Sequence, residues 1–373
     1  MVIGYDAKRA YKNNSGLGNY SRMVIGGVAK EVDCVLFTPS LKGRHEHYFD
    51  GMPKVATRVP QGLWSLAPSL WRTLAVGRNA EREHVQLYHG LSHELPYFLP
   101  KGMKCVVTMH DLIVRRYPDF FKPVDRLIHR WKQRHACRVA DVVVAISEQT
   151  KRDLVEMMHV PEEKIKVVYQ SCDPIFWCRG VVESWSRGEG SGYSLPSRYI
   201  ICVGTVEERK NQATAVRALA QLPEEVALVI VGRPRGSYPQ EVRRVAKELG
   251  MEQRVVFLED AKFADFPMLY HNAVASVYMS VFEGFGIPVL ESMCCDTPVV
   301  TSNVSSMPEA GGDAALYADP MDADAVAAHL RRLLEDPAFR QGQIEKGRTQ
   351  RLRFAPEKVS QDMLALYRSL LDD

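Results

Sequence analysis

The sequence predicts an α/β protein of two doubly wound parallel sheets that face each other across a cleft. Three observations carry that prediction. Short apolar runs alternate with amphipathic stretches along all 373 residues, the pattern of parallel βαβ units. The runs are also more numerous than one ordinary sheet accommodates. Composition breaks once, at 181–197 (VVESWSRGEGSGYSLPS), where Gly and Ser gather and periodicity stops, as in a linker or a decorated surface loop. The organisation that follows is an N-terminal Rossmann-like domain over 1–180, the linker 181–197, a C-terminal Rossmann-like domain over 198–355 and a helix over 356–373 that packs back on the first domain.

Taken in order, VIGYD (2–6), CVLFTP (34–39), VQLYHG (85–90), KCVVTMH (104–110), VVVAIS (142–147) and KVVYQ (166–170) read as strands of the first sheet. YIICVGT (199–205), ALVIVG (227–232), RVVFLE (254–259), VASVYMSVF (274–282) and PVVTSN (298–303) read as strands of the second. These near-continuous apolar runs suit strands buried on both faces. DADAVAAHLRRLLEDPAFRQGQ and PEKVSQDMLALYRSLL show the 3.6-residue spacing of helices. Asp322-Ala323-Asp324 has the form of a metal-binding D-x-D pair, but it stands directly before a helix, so a cap is the expected role.

Composition narrows the function. A net charge of +3 is too small to argue for nucleic acid as a partner. No apolar run is long enough to cross a bilayer, and MVIGYDAKRAY reads as a first strand rather than a signal peptide. The eight cysteines include no C-x-x-C pair and lie mostly in apolar runs, which predicts buried thiols in a reducing, cytoplasmic setting without disulfides or structural zinc.

Four strand ends carry candidate chemistry, because open α/β sheets bind ligands at their carboxyl edges. In EGFGIPVLE (283–291), Glu283 closes a strand, Pro288 suits the start of a helix and Glu291 falls about one turn inside it. The backbone between them, Gly284, Phe285, Gly286 and Ile287, lies at a helix N-terminus, which attracts anions. Two carboxylates around such a turn suit a ligand with both phosphates and hydroxyls. Arg209 and Lys210 follow YIICV in GTVEERKNQ; they either neutralise a diphosphate or form a solvated charge run. His110 ends KCVVTM, where it is suited to bond a hydroxyl or stabilise charge, with no metal-ligand spacing around it. Gly16 and Gly18 in NNSGLGNYSRM are spaced as in a dinucleotide loop, but Ser21 holds the third glycine position and the second strand closes on Ser40 with no acidic residue. That counts against a nicotinamide enzyme and leaves either a close ligand approach or a tight turn.

Together these segments resemble the retaining glycosyltransferases of family 4, whose fold is GT-B. The resemblance is carried by SGLGNYS (15–21), TMHDLI (108–113), VAISEQTKRDL (144–154), VGTVEERKN (203–211), FEGFGIPVLESMCCDTPVV (282–300) and SSMPEAGGDAALYADP (305–320). It implies sugar transfer from a nucleotide-sugar donor with retention of configuration and without a metal cofactor. The donor would lie on the C-terminal domain and the acceptor, a saccharide or lipid-linked saccharide, on the N-terminal one. By the same resemblance Glu291 would hold the ribose hydroxyls and Glu283 the donor sugar. The backbone of Gly284–Ile287 would meet sugar and phosphate, and Arg209 and Lys210 would stabilise the departing diphosphate. His110 would reach the sugar, and Gly16, with Gly18 beside it, would let the first loop approach the phosphates. The SGLGNYS, HDL and GTVEERKN segments resemble the mannosyltransferase branch, which implies GDP-mannose ahead of UDP- or dTDP-linked sugars, and surface polysaccharide such as O-antigen or capsule as the pathway.

Three departures stand out. Asp296 replaces a glycine, QSCD (170–173) replaces an N-G-V-D hinge and keeps only Asp173, and VGRP (231–234) lacks a second glycine. The first predicts a left-handed Asp rather than a changed function. Separately, 115–138 holds eight Lys/Arg against two Asp, an excess of six, with aromatic residues interleaved. With GLWSLAPSLWRTL (62–74) it reads either as a patch for peripheral attachment to an anionic membrane, or as cleft-lining and solvent-facing charges whose apolar neighbours pack inward. A nucleotide-sugar epimerase of GT-B architecture and a non-catalytic nucleotide-sugar sensor are the competing functions; the E-x7-E turn argues against the first, and His110 with the two cations against the second.

Overall fold

The computed structural model describes residues 1–13, 16–177 and 192–372, and the chain divides into two compact units. Unit 1 comprises Met1–Asp173 and Phe354–Asp373, and unit 2 comprises Pro174–Arg353. Most of the linker segment 181–197 lies outside the described residues.

Unit 1 holds a seven-stranded sheet formed by β1 (Val2–Asp6), β2 (Asp33–Phe37), β3 (Val55–Arg58), β4 (Leu87–Gly90), β5 (Lys104–Met109), β6 (Val142–Ala145) and β7 (Ile165–Val167), in the order β3-β2-β1-β4-β5-β6-β7. Every pairing is parallel. The order reverses between β1 and β4, where a doubly wound sheet opens its binding crevice. β3 is an edge strand, VATR, and none of its residues is fully buried. It lacks the apolar signature of its neighbours, which is why the sequence pattern passes over it. The helix Pro356–Asp372 packs on the helix Gly16–Val28: a Cβ on Gly27 would overlap the Ser360 hydroxyl. It also sends Tyr367 to the sheet, where its hydroxyl meets Tyr5 Oη at 3.2 Å and His89 Nδ1 at 2.5 Å.

Unit 2 holds six strands: β8 (Tyr199–Val203), β9 (Ala227–Val231), β10 (Val255–Leu258), β11 (Ala275–Tyr278), β12 (Val299–Ser302) and β13 (Ala315–Ala318), all parallel in the order β10-β9-β8-β11-β12-β13. Its core joins Leu228 and Ile230 of β9 to Val216 and Leu219 on one helix and Leu330 and Leu333 on another. The switch point lies between β8 and β11. There the ladder registers only Ile200 with Ala275 and Ile201 with Ser276, whereas β8 pairs with β9 over all five residues from Tyr199 to Val203. The strand expected over 274–282 therefore ends as β11 at Tyr278, and the chain from Met279 to Glu283 leaves the ladder to line the opening.

Asp322 caps the helix Ala323–Glu335, its carboxylate accepting from the N–H groups of Asp324 at 3.1 Å and Ala325 at 2.9 Å. The D-x-D pair is thus a helix start. Asp296 is left-handed at φ +56°, as its glycine-replacing position predicts, and Arg348 forks onto its two oxygens at 2.8 and 2.7 Å.

Candidate active site

The switch point of unit 2 gathers charge. After β8 the chain turns at Gly204 (φ +142°) and reaches Glu207, Arg209 and Lys210. After β11 it bends through Ser280 to Glu283. The two segments are bound to each other, with Val281 N–H donating to the Arg209 carbonyl at 2.9 Å. Strand order thus brings together side chains 73 positions apart in sequence.

Glu283 is the hub. Its Oε1 accepts from Lys210 Nζ, from the Tyr278 hydroxyl at 2.7 Å and from the Ser280 hydroxyl at 2.8 Å, and lies 2.5 Å from Arg209 Nη1. Its carbonyl accepts from the hydroxyls of Ser305 at 2.6 Å and Ser306 at 2.9 Å. Lys210 also donates to Tyr278 Oη. Arg209 is aimed by Glu207 at 2.7 Å and by the Phe282 carbonyl at 2.9 Å. All three charged side chains are mostly buried. Burial disfavours the ionised carboxylate, but Lys210 and Arg209 outweigh it and hold the Glu283 pKa at about 2. Burial also lowers the Lys210 pKa, with Glu283 opposing that fall and Arg209 adding to it. The carboxylate is therefore ionised and serves as a fixed negative pivot between two cations.

The turn itself follows. Gly286 sits at φ +104° immediately before the helix Ile287–Cys294, and Pro288 occupies its first turn. A Cβ on Gly286 would fall 2.8 Å from Met307 Cε. The Phe285 ring is buried, so this residue offers its backbone rather than its ring. Glu291, inside the helix, is buried and accepts from the Tyr270 hydroxyl at 3.1 Å. The loop after β9 packs on the loop after β8: Gly232 (φ +154°) lies so close that a Cβ there would sit 2.0 Å from the Gly204 carbonyl oxygen. The missing second glycine of VGRP is accommodated by a parallel bridge, Val206 with Pro234, in which Val206 and Arg235 supply the N–H groups.

His110, Gly16 and Gly18 belong to unit 1. His110 follows β5 and is buried, its Nε2–H donating to the Leu91 carbonyl at 2.9 Å and its ring meeting Tyr20 edge-on at 4.7 Å. Burial, with His93 nearby, lowers its pKa to about 3, so the imidazole is neutral and Nδ1 carries the lone pair. Gly16 opens its helix, and no atom of the described residues lies within 4 Å of a notional Cβ there. Gly18 serves the chain's own packing, since a Cβ there would fall 2.0 Å from the Asn13 carbonyl oxygen.

Several partners escaped the sequence reading. Tyr278 and Ser280 look like strand residues in VASVYMSVF, and only the end of the ladder turns their hydroxyls onto Glu283. Ser305 and Ser306 come from beyond β12, and no local pattern points to them. His93 did leave a signal, since LSHELP follows a strand just as HDLI does. It is left-handed at φ +61°, lies ring to ring with His110 at 5.4 Å, and has a buried Nδ1 with no hydrogen-bond partner among the described residues. Among the described residues no three His, Cys, Asp or Glu are grouped to hold a metal ion.

Two Rossmann-like units, one with a cation-flanked carboxylate at its switch point, define a glycosyltransferase of the GT-B fold. Sequence and structural relatives agree. Residues 14–175 match the model for Glycosyltransferase Family 4, and 190–350 match that for Glycosyl transferases group 1. The O-antigen chain mannosyltransferase B of Escherichia coli is 30% identical over 76% of this chain and 74% of its own length. The O-antigen chain mannosyltransferase RfbU of Salmonella typhimurium is 23% identical over 90% and 92%. Among solved structures, Anabaena HepE in complex with UDP and glucose superposes with a TM-score of 0.75 at 19% identity, covering 99% of this chain and all of that one. The chain belongs to the family 4 glycosyltransferases, in their mannosyltransferase-like branch.

Proposed function

We propose that this enzyme moves a hexosyl group, with mannose from GDP-mannose the leading donor, onto a saccharide or lipid-linked saccharide during surface polysaccharide synthesis, with retention of configuration. The observation that carries the reading is the Lys210–Glu283–Arg209 cluster at the switch point of unit 2. Breaking a glycosyl–diphosphate bond leaves charge on the diphosphate, and fixed buried cations stabilise that charge best. Lys210 and Arg209 take that role in the reading, which needs no metal cofactor. Glu283 holds both cations in place, and its second oxygen is assigned to donor hydroxyls. Glu291 is assigned to the ribose, the backbone from Gly284 to Ile287 to sugar and phosphate, and the Gly16 edge of unit 1 to the phosphates. His110, a neutral imidazole, is assigned to the transferred sugar. The name of the 30%-identical relative favours mannose and O-antigen chains. UDP-linked donors are the second choice, since UDP occupies HepE in its solved complex. A cytoplasmic location belongs to the same reading, supported by seven buried cysteines among the described residues.

Thermal unfolding with a panel of nucleotides and nucleotide sugars tests this. A ligand that binds only the folded chain raises Tm by mass action, by about 2.7 kcal/mol of stability at a hundredfold excess over Kd. GDP and GDP-mannose are expected to give the largest shift, and Glu291→Ala to abolish it. No shift with any nucleotide sinks the donor site. Turnover then separates the alternatives, because an epimerase alters free donor and a sensor alters nothing.

A further inference from the structure

A buried chain of hydroxyls and one imidazole runs through unit 1 to His110. It starts on the helix Pro356–Asp372, where the Tyr367 hydroxyl meets His89 Nδ1 of β4 at 2.5 Å. His89 Nε2 lies 2.8 Å from Thr108 Oγ1 of β5, and Thr108 Oγ1 lies 3.0 Å from the Tyr20 hydroxyl on the helix Gly16–Val28. Tyr20 then packs its ring edge-on against His110, the centroids 4.7 Å apart. Tyr20, His89, Thr108 and Tyr367 are all fully buried. Apolar side chains of the same shape would fill such a core with little loss of stability. A polar chain in their place does something else, because a fully bonded polar network fixes one geometry.

The direction of the chain follows from its head. Tyr5 of β1 donates to the Tyr367 oxygen at 3.2 Å, which leaves the Tyr367 proton for His89 Nδ1. His89 then carries its own proton on Nε2 and donates it to Thr108, whose hydroxyl proton is left for Tyr20. Burial lowers the His89 pKa to about 3 and raises those of Tyr20 and Tyr367, so none of the three ionises near neutral pH. The chain bridges β4 and β5 at the end of their ladder, which registers last at Gly90 with Val107. Just beyond, His110 hangs by its Nε2–H from the Leu91 carbonyl at 2.9 Å, and Thr150 Oγ1 donates to the His110 carbonyl at 3.2 Å. His89 and Leu91 stand two apart at one strand end, as do Thr108 and His110 at the other. The His89–Thr108 bond therefore ties the two strand ends from which the imidazole is hung. We propose that this chain sets the position of the His110 imidazole: Tyr20 is the positioning residue that touches it, and Tyr367 is the contact through which the C-terminal helix shapes the site. The inference rests on the reading of His110 as the residue facing the transferred sugar.

Imidazole NMR of the full chain, carrying isotope-labelled histidine, tests the positioning without substrate. His89 and His110 are expected in the Nε2–H tautomer, their resonances assigned through His89→Gln and His110→Gln. Tyr367→Phe removes the hydroxyl at the far end of the chain from Tyr20. It is expected to release the His89 tautomer and to shift the His110 resonances. Tyr5→Phe loses a bond to the same Tyr367 hydroxyl but leaves the proton that reaches His89, so it is expected to leave both in place. GDP release from GDP-mannose, with methyl α-mannoside as acceptor, then reads the consequence. Tyr367→Phe and Thr108→Val are expected to lower kcat by about tenfold at unchanged donor KM. Thr108→Ser, which keeps the hydroxyl, and Tyr5→Phe are expected to retain wild-type kcat. His110 resonances and kcat that ignore Tyr367→Phe and Thr108→Val overturn the assignment. So does an equal loss in Tyr5→Phe, which would mark the chain as core packing alone. If His110→Gln turns over like the wild type, the sugar contact falls instead, and the resonances alone decide the positioning.

Discussion

At the scale of single residues, Glu283 decides how the cluster behaves. Four donors converge on one oxygen, and two of them are buried cations. Replacing Glu283 with Gln keeps the size and removes the charge, leaving Lys210 and Arg209 to repel each other in a desolvated site. The expected cost is about 2–4 kcal/mol of stability, read by urea denaturation; a loss within error would mean that the pair is solvated and structurally idle. Lys210→Met instead removes charge from the proposed leaving group. Its expected signature is a fall of about 10²–10³ in kcat at similar KM, and a change confined to KM would mean that Lys210 only holds the ground state. Gly16→Ala separates ligand approach from packing. No described residue lies within 4 Å of its Cβ position, so stability should hold or rise by a few tenths of a kcal/mol, while donor affinity falls if a phosphate comes close; unchanged affinity would remove Gly16 from the site. The charged residues were legible in the sequence because a strand followed by Arg-Lys, or by Glu before a Gly-Phe-Gly turn, is a local pattern. Tyr278, Ser280, Ser305 and Ser306 were not, because their hydroxyls become ligands of Glu283 only where strands from different stretches end side by side.

At the scale of elements, two glycines make the strand-end loops fit, and they differ in kind. A Cβ on Gly232 would meet the backbone carbonyl of Gly204, which cannot move without disturbing β8. A Cβ on Gly286 would meet the tip of Met307, which can turn aside. Both sit at positive φ, so both alanine variants are strained, but Gly232→Ala should lose about 1–3 kcal/mol more. Equal melting temperatures for the two variants would contradict that ordering. Strand and helix positions were readable wherever a run was buried on both faces, as in ALVIVG or VVVAIS. β3 was not readable, because an edge strand with no fully buried residue leaves no apolar signature. Asp296 was read correctly as left-handed, whereas its partner Arg348, 52 residues away, depends on how one helix packs against the end of another.

At the scale of the whole molecule, the two units should respond differently to acid. In unit 1 burial lowers the pKa values of three imidazoles, His89, His93 and His110, to about 3, 4 and 3. Each stays neutral in the folded chain at a pH where an unfolded histidine, near 6.5, takes a proton. Their contribution to stability is therefore complete above pH 6.5 and drains away as pH falls toward the folded values. With up to three protons taken up on unfolding, the slope approaches about 4 kcal/mol per pH unit near pH 5. In unit 2 the depressed group of this kind at the site is Glu283, held near 2. Its contribution is intact above an unfolded carboxylate pKa of about 4.3 and is lost only as pH falls below that toward 2. Acidification from pH 7 to pH 5 should thus weaken unit 1 and spare the Glu283 cluster. Calorimetry across that range is expected to lower the transition of unit 1 first and split it from that of unit 2, and His110→Gln should flatten the dependence by one proton. A single transition whose midpoint does not move between pH 7 and pH 5 would mean that the three imidazoles are hydrated in the native chain, and would weaken the assignment of His110 as a neutral group facing the sugar.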